Sequence, residues 1–71
     1  MNKPKVESIV AIRGYMARDE HGFIDFFLNV PKKRLGMWVG GGFSVPLGKA
    51  AFPEVRMSDG PTECEILVRK L

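Results

Sequence analysis

Seventy-one residues with a single cysteine, Cys64, and a formal charge of +3 make one small domain at most. That content excludes an intrachain disulfide scaffold, and no apolar run approaches the roughly 20 residues a membrane-spanning helix needs. The polar start, Met1 to Lys5 with Pro4 inside it, is not followed by an apolar stretch ending in a cleavage site, so the sequence reads as a cytoplasmic, membrane-free domain over residues 1–71.

The first predicted element is Val6 to Arg18. Its β-branched residues cluster, and Val6, Val10, Ile12 and Met16 fall on alternate positions, so a strand fits better than a helix that Gly14 would weaken. Gly14 inside it predicts a bulge or a close backbone approach. Arg18-Asp19-Glu20-His21-Gly22 is a polar turn, and Gly22 suits a hairpin closure. The second strand is Phe23 to Val30, with Ile24, Phe26, Leu28 and Val30 on one face and Phe23, Asp25, Phe27 and Asn29 on the other; Pro31, which cannot donate to a ladder, ends it.

Lys32-Lys33-Arg34-Leu35-Gly36 reads as a basic connection to a short strand, Met37-Trp38-Val39. Beyond Gly40-Gly41-Gly42, Phe43-Ser44-Val45 either pairs back as a hairpin or continues one kinked strand. Residues 47–52 are expected to form at most one helical turn, ended by Pro53 and pinned to the core by Phe52. A short strand over Val55 to Met57, the turn Ser58-Asp59-Gly60-Pro61 and a cleanly alternating strand from Thr62 to Leu71 complete the chain. The fold class is therefore mainly all-β: a small antiparallel meander or open barrel of four to six short strands.

Groups able to carry chemistry are few. His21, the only histidine, lies in a turn, and with Cys64 alone it makes no metal site. Ser44 and Ser58 have no visible base. Gly40-Gly41-Gly42 lacks the Gly-Lys-Ser/Thr ending of a phosphate-binding loop. Cys64 reads as a small apolar core residue. No catalytic residue, metal or cofactor is expected.

Two functional readings remain. The second strand carries phenylalanines on its polar-looking face, and Phe23, Phe27 and Trp38, with Ile9, Tyr15, Leu67 and Leu71 beside them, make more apolar surface than one thin chain covers. That predicts a non-enzymatic interaction module that self-associates, most simply as a two-fold homodimer, through an apolar sheet face. The alternative is a nucleic-acid-binding β module. Its cations, Lys32, Lys33 and Arg34 with Arg13 and Arg18, would follow phosphates while Trp38 stacks on a base.

Overall fold

A computed structural model describes residues 8–71. It is all-β apart from one short 3₁₀ turn. Six strands run in chain order: β1 Ile9–Arg18, β2 Ile24–Phe27, β3 Lys32–Arg34, β4 Met37–Val39, β5 Ser44–Gly48 and β6 Thr62–Arg69. They form an open antiparallel sheet ordered β5-β2-β1-β6 and a separate β3–β4 hairpin. Val6 and Glu7, the predicted start of the first strand, lie outside the described residues.

The β1–β2 turn forms where the polar run predicts it. The Asp19 side chain accepts the His21 and Phe23 N–H groups at 2.9 and 3.0 Å, and the Asp19 N–H donates to the Phe23 carbonyl at 2.8 Å. An aspartate that satisfies the backbone two and four residues on is a self-closing turn.

β2 is shorter than the sequence predicts. It leaves β1 after Phe27, and the Leu28 and Asn29 N–H groups turn instead to the carbonyls of Phe43 and Gly41, at 3.0 Å each. That exchange carries the chain into β5, which pairs with β2 and not across the glycines with β4. The residues read as a basic connection are themselves a strand: Lys32–Arg34 pairs with Met37–Val39 across Leu35 and Gly36. Both turn residues have positive φ, 51° and 78°, as a two-residue primed hairpin turn requires.

Residues 47–52 do not form the expected helical turn. Leu47 and Gly48 extend β5, and the single turn of helix lies at Met57–Asp59. Phe52 does not pin the segment; it is half-exposed with a φ of 50°, and Val55 enters the core in its place.

The core occupies one end of the sheet. Met16, Ile24 and Val55 form its centre, with Leu47, Ala51 and Cys64 packed against it. Phe26 is fully buried, and Gly14 sits so close to its ring and to the Phe27 carbonyl that a Cβ there would overlap both. This is the close approach predicted from glycine inside a strand. Gly14→Ala is expected to destabilise the fold by about 1–3 kcal/mol, as overpacking does. A thermal melt within 1 °C or so of the parent would contradict that contact.

Candidate functional site

Arg18 ends β1 on the same sheet face as Ile24, its cross-strand partner. Its guanidinium donates to five backbone carbonyls: Nε to Val55 at 2.7 Å, Nη1 to Gly22 at 2.6 Å and Lys49 at 3.2 Å, and Nη2 to Ala51 at 2.8 Å and Phe52 at 2.9 Å. An arginine has five N–H donors in a rigid fork, so these bonds use its whole capacity. Its own carbonyl accepts the Trp38 indole N–H at 2.8 Å. One residue therefore holds the 49–55 segment with its side chain and the β3–β4 hairpin with its backbone.

The nucleic-acid reading loses two of its residues to this arrangement. Arg18 has no donor left for a phosphate, and Trp38 is half-buried with its N–H engaged. Arg13 lies on β1, away from the basic hairpin, flanked across the strands by acids: Glu65 is its direct partner, and Glu63 is two pairs away on the same face. Lys32, Lys33 and Arg34 stay exposed on β3. Register divides them, because Lys33 shares its hairpin face with Trp38 while Lys32 and Arg34 share the other with Val39 and Met37. The hairpin tip also meets an acid, since the Glu20 N–H donates to the Gly36 carbonyl at 3.1 Å and the Glu20 carboxylate lies against Gly36.

The three residues read as an apolar interface are likewise separated in role. Phe27 is 4% exposed, covered by its own chain where Gly41 lies on its ring. Trp38 serves the clasp on Arg18. Phe23 is open, at 47% exposure, and the Lys49 ammonium stands 4.7 Å from its ring centroid. Of the apolar surface expected on the second strand, Phe27 is closed within the chain by Gly41, while Phe23, Leu28 and Val30 stay exposed.

Exposed apolar side chains are scattered over the hairpin, the 43–52 stretch and the end of β2, and a paired set lies on β1 and β6. β2 pairs only with Tyr15–Arg18, whereas β6 follows β1 from Met16 to Ile9. The far half of β1 and β6 is thus a two-stranded arm. The register places Val10 opposite Val68, Ile12 opposite Ile66 and Gly14 opposite Cys64, one apolar stripe along a single face. Val10 and Val68 are 54% and 51% exposed; on the other face Ile9 and Leu67 are 47% and 64% exposed. Among the described residues no strand adds to the outer edge of β6 or to β1 beyond Tyr15. At the foot of the arm, where β2 departs, an open groove of about 810 Å3 is lined by residues including Arg13, Tyr15, Asn29, Glu63 and Cys64.

The titratable groups offer little for catalysis. Burial, and then the charge of Asp19, push the Asp25 carboxyl above its ordinary value, and burial pushes the Cys64 thiol up from 9.0, away from the reactive thiolate. His21 is exposed and stands 3.6 Å from Glu20. Among the described residues no group of three or more His, Cys, Asp or Glu is placed to hold a metal ion, and no helix is long and apolar enough to cross a membrane.

Compared with protein families, with characterised proteins and with solved structures, the chain matches none of them. Arg18→Lys removes the fork and is expected to cost about 3 kcal/mol or more, because carbonyls that accept from a charged group lose their donors. Urea unfolding followed by Trp38 fluorescence measures the loss; a midpoint equal to the parent's would show that the five bonds contribute nothing.

Proposed function

We propose that this protein is a non-enzymatic interaction module that self-associates through the β1–β6 arm. The observation that carries the reading is the arm's incompleteness among the described residues: two strands, apolar residues exposed on both faces, and edges that no other described strand joins. A two-stranded ribbon alone is marginal in water, and a third and fourth strand or a packed face is what stabilises it. A compact chain of this length has a radius of gyration of about 11 Å. The described residues have 15.0 Å and span 58 × 23 × 17 Å, so they form an elongated body. A second copy supplies the missing strands with no other component, and two-fold pairs are the commonest homo-oligomers.

The apolar surface assigned here differs from the Phe23, Phe27 and Trp38 set expected from the sequence, while the kind of function is the same. The reading carries with it a cytoplasmic, membrane-free setting, supported by one cysteine with no intrachain partner and by the soluble-like mix of charge along the exposed edges.

Sedimentation velocity over a concentration series tests the proposal. The parent chain is expected to pass from monomer to dimer at micromolar concentration, and Val10→Lys with Val68→Lys to remain monomeric with an unchanged far-ultraviolet spectrum. A parent chain that stays monomeric throughout would remove self-association.

A further inference from the structure

The edge of β6 specifies how two copies meet. β6 is the outermost strand, eight residues long, with no proline or glycine in it. Sheet edges of this kind are normally blunted, because unpaired N–H and C=O groups recruit another strand. Its side chains are Glu63, Glu65, Leu67 and Arg69 on one face and Thr62, Cys64, Ile66 and Val68 on the other. Among the described residues Glu63, Glu65 and Arg69 enter no ion pair.

We infer that two copies pair antiparallel along β6 about a two-fold axis at Ile66, joining the sheets as β5-β2-β1-β6-β6-β1-β2-β5; this rests on the self-association reading above. In that register Glu63 faces Arg69 of the second copy, and Arg69 faces its Glu63, so two opposite-charge pairs form. Between these pairs Glu65 stands opposite Leu67 twice, and on the other face Ile66 meets its own copy while Cys64 and Val68 meet each other twice. The neighbouring registers are poorer. An axis at Glu65 sets that carboxylate against itself, and like charges directly opposite are unfavourable. An axis at Leu67 also makes opposite-charge pairs, Glu65 with Arg69, but it keeps only residues 65–69 of β6 in the ladder, against 63–69 for the Ile66 axis, and it places Lys70 opposite Cys64 and Leu71 opposite Glu63. The intermediate registers, one residue apart, would set even-numbered against odd-numbered positions, which a two-fold axis normal to the sheet excludes because it keeps each position of both copies on the same face. The chosen pairing also doubles the arm from two strands to four, which is the number its apolar stripe lacks. A second copy is favoured over an unrelated strand because the complementarity lies within β6 itself.

Charge reversal reads this out. Glu63→Arg alone and Arg69→Glu alone each replace two attractions with two repulsions, and each is expected to weaken dimerisation roughly tenfold. The double variant restores both pairs and should return to within about threefold of the parent. Independently, Ile66→Cys in a Cys64→Ser chain should form a disulfide-linked dimer under mild oxidation, because directly opposed residues lie within disulfide reach, whereas Leu67→Cys should not. A dimer that ignores the charge reversals, or that crosslinks through position 67 and not 66, overturns the β6 register while leaving self-association standing. A chain that never dimerises overturns both.

Discussion

The fold depends on the fork of Arg18. A 71-residue chain has room for little more than one sheet, and its stability rests on whatever covers that sheet. Here the cover is irregular backbone, residues 49–55, whose carbonyls have no ladder to join. Carbonyls left unpaired against a core are costly, and one side chain answers four of them, with the Gly22 carbonyl of the β1–β2 turn as a fifth acceptor. Phe52 reaches its bond with a φ of 50°, a conformation non-glycine residues rarely adopt, so the clasp also holds a strained turn in place. The charge needs no carboxylate, because the carbonyl dipoles of one strap converge on it.

That clasp divides the molecule in two. Around Arg18 the sheet is layered on both faces: Met16 and Ile24 lie under Val55, and the Trp38 clasp and Gly41 close the Ala17 and Phe27 side. Beyond Tyr15 nothing comparable remains in the described chain. β2 has left, the strap is spent at the other end, and β1 and β6 continue as a ribbon. The apolar stripe on the ribbon is continuous with the core face through Met16, Gly14 and Ile12. In the proposed dimer, association extends that core face across a second copy. The same division separates the cations: Arg18 is engaged with backbone carbonyls, Arg13 lies opposite Glu65, and Lys32, Lys33 and Arg34 are exposed on β3.

Much of the fold is legible in the sequence, and the losses have identifiable causes. Alternation gives β1 and β6 close to their observed places and the first half of the second strand, because each has one face against the core or its stripe. β3 is hidden by three consecutive charges and by Leu35, which occupies a turn position where asparagine or glycine would announce the hairpin. Leu35 is 89% exposed, so no packing contact explains its presence. The 47–52 segment reads as helix from its alanines and lysine, whereas tertiary bonds to a residue some thirty positions earlier hold it as a strap. The site is less legible than the fold. Arg18 looks like any turn cation, since nothing local marks carbonyls from Val55 and Ala51 as its partners. The arm is legible only in outline: Ile9, Leu67 and Leu71 read as surplus apolar area, but their isolation from the body follows from β2 ending at Phe27, which Leu28 and Val30 conceal by continuing the alternation.

Amide hydrogen exchange across a concentration series tests the division of the chain most directly. The account predicts strong protection around Met16, Ala17 and Ile24 at every concentration, and protection of residues 9–13 and 65–69 that is weak when the protein is dilute and rises as it is concentrated. Equal protection of body and arm in dilute solution, or an arm whose exchange does not respond to concentration, would contradict it.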